Sequence, residues 1–343
     1  MGQSYPGAQA IVFDLGGTYL RCGVWRSAAG VSSLRRVKIG TVWHGQPSSV
    51  VWDGIRSQLE DYHQSVTPAV AAEAPIVVSF PGPIEDRRKI LSAPTFLGDD
   101  TAIPDLVGQL REDTGRAVYI LNDISAAAWY LSSKTRADRF MVVTISSGIG
   151  SKIFDRKHPA GVIESPAWAG EIGHMTAEDS PDAARCDCGG RGHLAAIASG
   201  RGIERAARRC ALDEPDAFAR SMCVGRYGAT AITLSNEEHL VPAALAGDEW
   251  CLALIHQATR PLARVLLAVI LAAGLERVIV IGGFALSLGS VYLQILRGEL
   301  TAVCRYSVIN DEIDSLVELG TGCEEACLMG AGSFAERLLR VRQ

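Results

Sequence analysis

The side chains in this chain that could do chemistry fall into four short clusters. Asp14-Leu15-Gly16-Gly17-Thr18 follows the apolar run Ile11-Val12-Phe13. Adjacent glycines after a strand let backbone N–H groups approach phosphate oxygens with no Cβ in the way. Thr18 adds a hydroxyl donor, and Asp14 could hold Mg²⁺ through water, the usual way a carboxylate engages that ion. A plain hairpin turn would use the same glycines. The turn is neither a Walker loop nor a dinucleotide fingerprint, because G-x-x-x-x-G-K and G-x-G-x-x-G are both absent from it. A second small-residue stretch, Ser146 to Ser151, follows the apolar run Phe140 to Ile145 and suits further phosphate contacts. Beside it, Lys152 is either a point charge for a triphosphate or a solvated surface lysine.

The third cluster is Asn122-Asp123, at the end of an apolar run and ahead of the alanine-rich segment Ser125 to Leu131. A carboxylate at a strand end projects to where open α/β sheets bind ligands. There Asp123 either accepts the proton of an attacking alcohol in phosphoryl transfer or caps the helix that follows. The fourth cluster joins Gly170-Glu171-Ile172-Gly173-His174 to Cys186-Asp187-Cys188-Gly189-Gly190-Arg191-Gly192-His193. His174, Cys186, Cys188 and His193 form a four-ligand set suited to tetrahedral Zn²⁺ with no open position, hence a structural site. The alternative is a pair of unmetallated thiols in a glycine-rich loop. The other cysteines (Cys22, Cys210, Cys223, Cys251, Cys304, Cys323 and Cys327) read as core filler.

These clusters need elements to position them. Ile11 to Phe13 and Arg21 to Trp25 read as a strand hairpin, and Ile76 to Phe80, Val118 to Leu121, Phe140 to Ile145 and Val278 to Ile281 as further strands. Val51, Ile55 and Leu59 lie on one face of a helix over 46–65, and Leu106 and Leu110 mark another over 103–114. Helix-rich stretches span 199–210, 243–273 and 324–340. Strands alternating with helices, with polar residues at strand ends, predict an α/β fold with open sheets. The two strand–glycine turns predict two related lobes with a cleft between them. The expected division is a smaller lobe at 1–124, with a C-terminal helix near 325–343 packing back on it, and a larger lobe at 125–324.

The 343 residues suit two lobes, and the 48% hydrophobic share supplies a sizeable core. Against 38 acidic residues stand 33 lysines and arginines, a net charge of −5, which argues against a nucleic-acid surface. Met1 to Ala10 lacks the pattern of a signal peptide, and the run Val265 to Leu275 is shorter than a membrane span. Reduced thiols and no membrane anchor point to the cytoplasm.

Taken together, the motifs resemble the ROK family of bacterial repressors, open reading frames and kinases, within the actin, hexokinase and Hsp70 superfamily. Residues 14–21 resemble its first phosphate motif and 146–151 its second. Pro81-Gly82-Pro83 is similar to its sugar-side loop, Asn122-Asp123 to its sugar-binding and catalytic pair, and Ile281-Gly282-Gly283 to its adenosine-site turn. Glu171 to His174 and Cys186 to His193 resemble its zinc signature, which also precedes a Ser-Gly like Ser199-Gly200.

The resemblance implies a two-lobed actin-like ATPase (ribonuclease H-like) fold with an interlobe cleft and an ATP-dependent sugar or polyol kinase. It implies Asp123 as general base, with Asn122, Glu171, His174, Gly82 and Thr95 on the substrate side. Gly16, Gly17, Thr18, Ser147 and Gly148 would cradle the ATP phosphates, and Gly200 and Gly283 would line the nucleotide side. A homodimer is also implied. His193 stands where the family usually has a third Cys, Ala195 where it has a Glu near the anomeric carbon, and Thr95 where many relatives have a sugar-binding Asn. A substrate hydroxyl left without its acceptor costs about 1–3 kcal/mol. The expectation is therefore a modified hexose, such as an aminosugar or a C7-cyclitol, with an ordinary glucokinase as the alternative. A repressor of the same family would carry a winged helix ahead of Asp14, and a non-catalytic sugar sensor would not need Asp123.

Overall fold

The computed structural model describes residues 7–41, 44–98, 100, 102–321 and 325–341. Cys323 lies outside them. The chain forms two compact units. The first comprises Met1–Arg136, Lys157–Ala169 and Gly322–Gln343, and the second Ala137–Arg156 and Gly170–Thr321.

The strands of the first unit include β1 (Gln9–Leu15), β2 (Tyr19–Arg26), β3 (Gly30–Lys38) and β4 (Ile76–Phe80). After a small hairpin of β5 (Ile84–Glu85) and β6 (Lys89–Ile90) comes β7 (Val118–Asn122). The main sheet has the order β3-β2-β1-β4-β7. β1 runs antiparallel to β2 and parallel to β4, which is parallel to β7. This register sets Asp14 opposite Arg21 on one side and beside Ser79 on the other, and it aligns Phe80 with Asn122. The sheet itself thus gathers the polar strand ends.

Apolar spacing explains the helices that cover it. Ser48–Val66 buries Val51, Ile55, Leu59 and Tyr62 along one face. Leu106–Thr114 starts where Asp105 caps Gly108 N–H and stops at Gly115 in the left-handed region, a glycine C-terminus. β3 was not expected. Its sequence, Gly-Val-Ser-Ser-Leu-Arg-Arg-Val-Lys, is largely exposed at the sheet edge and lacks the alternation that announces a strand.

The C-terminal helix Ala326–Val341 packs on β1 and along the helix Asp123–Leu131. Small residues allow the approach. A Cβ on Gly330 would lie 1.7 Å from the Ala126 carbonyl oxygen, and one on Gly332 would lie 2.1 Å from Trp25 Cγ.

In the second unit β8 (Arg139–Ile145) pairs antiparallel with β9 (Ile149–Asp155), and the turn between them is tighter than the expected 146–151. Past the two-residue β10 (Val162–Ile163) of the first unit, β11 (Arg277–Ile281) runs parallel to β8 and to β12 (Val317–Leu319). Each unit therefore repeats one plan, a glycine-turned hairpin extended by parallel strands. The helix Glu249–Ala273 reaches well beyond the apolar run expected at 265–275. By length and composition it could cross a membrane, but Leu254, Ile255, Leu262 and Leu266 are buried in this unit's core, as in a soluble core helix.

Candidate active site

In the first unit the site starts at Asp14. Its Oδ1 accepts from Ser79 Oγ at 2.9 Å and its Oδ2 from Arg21 Nη1 at 3.2 Å. Burial raises its pKa above the ordinary carboxylate value, opposed by these hydrogen bonds and the Arg21 charge. The turn that follows is closed by Gly16 N–H donating to Tyr19 O at 2.9 Å, which leaves Gly17 and Thr18 exposed. Thr95, from the short helix Pro94–Leu97, lies against this turn. A Cβ on Gly17 would meet Thr95 Cγ2 at 2.8 Å.

This contact makes a test. Gly17→Ala should displace the turn and raise the KM for ATP by about tenfold, given how steeply rates respond to ångström misplacement. Adding Thr95→Ser, which deletes that methyl, should restore most of the loss. Steady-state kinetics of the two variants would check it, and an unimproved double variant would show that the contact is not the cause.

At the end of β7 the structure divides the Asn122-Asp123 pair by role. Asn122 Oδ1 accepts from Ile124 N–H at 3.0 Å and Ser125 N–H at 3.4 Å, so Asn122 is the helix cap. Its Nδ2 donates to Gly82 O at 3.0 Å, tying the cap to the Pro81-Gly82-Pro83 loop. Asp123 is the first helical residue, half-buried, and its Oδ1 accepts from Ile124 N–H at 2.8 Å. Cys327 was read as core filler, yet its Sγ lies 3.7 Å from Asp123 O, and the Asp14 carboxylate is close enough for its charge to act on the thiol. Burial, reinforced by the charges of Asp14 and Asp123, pushes that thiol well above its ordinary pKa. One sulfur thus sits within the field of both acidic residues.

The second unit holds a cavity of about 640 Å³. Ser146, Ser147, Gly200, Arg201, Asn236, Gly283 and Phe284 are among its walls. Gly200 N–H donates to Ser146 O at 2.7 Å, and a Cβ there would meet that oxygen at 2.9 Å. Gly200 begins the helix Gly200–Asp213, whose cap Ser199 accepts from Gly202 N–H at 3.1 Å. A helix N-terminus at a cavity favours an anion such as a phosphate. Gly283 opens another helix directly after β11, preceded by Gly282 at φ +101°. Arg201 and Asn236 were not expected. Arg201 Nε donates to Ser147 O at 3.0 Å, and Asn236 Nδ2 donates to Gly200 O at 2.8 Å. Neither lies in a recognisable spacing, because contacts across the fold bring them to the turn.

The same unit gathers the four soft ligands. One donor atom each from His174, Cys186, Cys188 and His193 all lie within 4.8 Å of one another. Donors bound to Zn²⁺ at about 2.0–2.3 Å stand slightly closer than that, so a small contraction completes a tetrahedron and the set fits the metal. A tight turn shapes the loop, with Cys186 N–H donating to Gly190 O at 2.8 Å and Gly189 N–H to Cys186 O at 2.9 Å. Asp187, between the two cysteines, pairs with Arg201 at 3.1 Å and Arg205 at 3.2 Å. Arg201 therefore reaches both the Ser147 turn and the cysteine loop.

Glu171, three residues before His174, is a third exposed, and its Oε1 lies 3.2 Å from Lys152 Nζ. Lys152 is not the solvated surface lysine of one reading. It is 3% exposed and pairs with a carboxylate. Ala195 lies next to Gly173, where a Cβ would be 3.4 Å from its own.

The sequence profile of the ROK family matches residues 10–337. This chain belongs to the ROK family. It is 36% identical over 332 residues to a C(7)-cyclitol 7-kinase of Streptomyces hygroscopicus subsp. jinggangensis, covering 95% of this chain and 93% of that one. It is 28% identical to an N-acetylmannosamine kinase of Escherichia coli O1:K1, over 84% of this chain and 86% of the relative. Among solved structures it is similar to a ROK family glucokinase from Streptomyces griseus in complex with glucose and AMPPNP. That likeness has a TM-score of 0.69 at 22% identity, over 95% of this chain and 98% of the other. A ROK hexokinase from Thermus thermophilus gives 0.70 at 24% identity, over 97% and 99%. At such identities the structures speak for the α/β actin-like ATPase fold, which this ROK chain shares.

Proposed function

We propose that this ROK protein is an ATP-dependent kinase that phosphorylates a primary hydroxyl of a C7-cyclitol or a closely similar sugar-like polyol. The observation that carries the substrate class is the 36% identity to a C(7)-cyclitol 7-kinase along 95% of the chain. Ala195, in place of the Glu that resembles a contact near the anomeric carbon, agrees with a ring altered at that end.

In this reading Asp123 accepts the proton of the attacking hydroxyl as its oxygen bonds to the γ-phosphorus and ADP leaves. Asn122 fixes that carboxylate by capping the helix it starts, and Gly82 is held with it. Gly17 and Thr18 of one turn, which Gly16 closes through Tyr19 O, and Ser147 and Gly148 of the other, offer N–H groups and hydroxyls to the triphosphate. Gly200 and Gly283 admit the nucleotide to the cavity of the second unit because neither carries a side chain there. Asp14 would engage Mg²⁺ through water, using lone pairs that Ser79 and Arg21 leave over, and the ion would offset phosphate charge. Glu171 and His174 accept polyol hydroxyls, and Thr95, against the Gly17 turn, serves the substrate from the first unit. Zn²⁺ on His174, Cys186, Cys188 and His193 would supply rigidity to the loop, which orients His174. The working form would be a cytoplasmic homodimer, a state that light scattering reads directly.

The test is ADP release from ATP and Mg²⁺ with C7-cyclitols, glucose and N-acetylmannosamine offered in turn. A cyclitol should give kcat/KM about tenfold or more above glucose, in line with one lost acceptor contact. Equal use of glucose would make this an ordinary glucokinase. No stimulation by any polyol would make it a non-catalytic sensor.

A further inference from the structure

A lysine ammonium at 3% exposure needs a compensating partner, because an isolated buried charge is strongly unfavourable. Lys152 has one in Glu171, whose Oε1 is 3.2 Å away, and the pair has two very different faces. The lysine side chain is 4% exposed and the glutamate 33%, so the ammonium sits behind the carboxylate and the carboxylate fronts solvent.

The backbone fixes this geometry. Ser151 Oγ donates to Gly170 O, and Gly170 has φ +83°, which favours glycine. A Cβ on Gly170 would lie 2.4 Å from Ser151 O and 3.4 Å from Lys152 Cα. The residue before Glu171 is therefore pressed onto the residues of β9 that carry Lys152. Neither partner can move far without the other.

We propose that Lys152 determines specificity by making the hydroxyl-accepting face at Glu171 formally neutral, so that the enzyme selects uncharged polyols over protonated amines. This rests on Glu171 being a substrate contact, as in the function proposed above. A polyol hydroxyl donates to the outer carboxylate oxygen whether or not Lys152 stands behind it. A ligand ammonium gains little there, since the carboxylate charge is already answered and a like charge lies just behind. Without Lys152 the same carboxylate would be an open anionic site that rewards an amine. The substrate class is thereby narrowed to neutral polyols, with free aminosugars and aminocyclitols excluded.

The experiment measures binding by calorimetry and kcat/KM at pH 7. The ligands are a neutral cyclitol and monoamine analogues in which each non-reacting hydroxyl is replaced in turn. The wild type should favour the neutral compound over every amine by about tenfold or more, the scale of one charge-assisted contact. Lys152→Met should shift the ratio toward one amine by about tenfold, through KM with kcat little changed, and Lys152→Arg should keep the wild-type preference. A wild type that binds or uses an amine as well as the neutral cyclitol overturns the proposal. So does a folded Lys152→Met protein with an unchanged ratio. If Lys152→Met does not fold, the wild-type ratio and that of Glu171→Gln, which should bind amines no better than wild type, decide alone. Loss of the kinase reading looks different: polyols of either kind would bind with no release of ADP.

Discussion

Asp123→Asn should lower kcat by about 10²–10⁴-fold, the range for loss of a positioned general base, while ATP affinity and the thermal unfolding temperature stay near wild type. The expectation follows from the division of labour at the end of β7. Asn122, not Asp123, caps the helix, with its Oδ1 on Ile124 N–H and Ser125 N–H. Asparagine at 123 keeps the size of the side chain and an acceptor for Ile124 N–H, so the first turn of the helix is retained. What it loses is the ability to take a proton. Asn122→Ala should behave oppositely, costing about 0.5–2 kcal/mol of stability and releasing the Gly82 loop. Single-turnover phosphoryl transfer beside nucleotide binding would separate the two. An Asp123→Asn enzyme that turns over normally would remove the carboxylate from the reaction.

The second large effect is expected at the cysteine loop. Cys186→Ser with Cys188→Ser should reduce zinc from about one ion per chain to near none and raise the polyol KM by about 10–100-fold, the scale seen when support for a metal site is lost. His174 lies at the end of a single helical turn, Ile172–His174, with its ring edge-to-face against His193 of the loop, so a shared ion would lock that contact. Metal analysis of the purified protein gives the first readout. Alkylation gives the second, since Cys188 is exposed and should react with a thiol reagent only after chelation. Cys327, whose thiol is held in its protonated form, should stay unreactive throughout the folded state. A protein without zinc but with ordinary polyol affinity would leave the loop with no metal role.

Much of this architecture was legible because burial leaves a periodic trace. β4 coincides with the apolar run Ile76 to Phe80, all five residues of which are buried, and the face of the helix Ser48–Val66 follows from Val51, Ile55 and Leu59. The clusters at Asp14 and Asn122 were legible because they sit at strand ends, and that at Cys186 because paired cysteines among glycines stand out in a loop. Lys152 was not. It lies on a strand that buries residues on both faces, Ser151 and Lys152 alike, but a lysine in sequence carries no mark of whether a carboxylate waits for it. Nor was Cys327, whose importance comes from Asp14 and Asp123, residues far from it along the chain. Edge strand β3 escaped for the opposite reason: its side chains face solvent, so selection for a core left no imprint.

The tight seating of Gly330 on Ala126 has a bearing on how the protein comes into being. β1 precedes by most of the chain the helix that covers it, Ala326–Val341, so the strand is synthesised long before its cover. Until then an apolar flank of the nascent sheet stays uncovered, a situation that invites chaperones and aggregation. The same helix brings Cys327 beside Asp123, so the unit carrying Asp123 matures only after a segment far along the chain has been made.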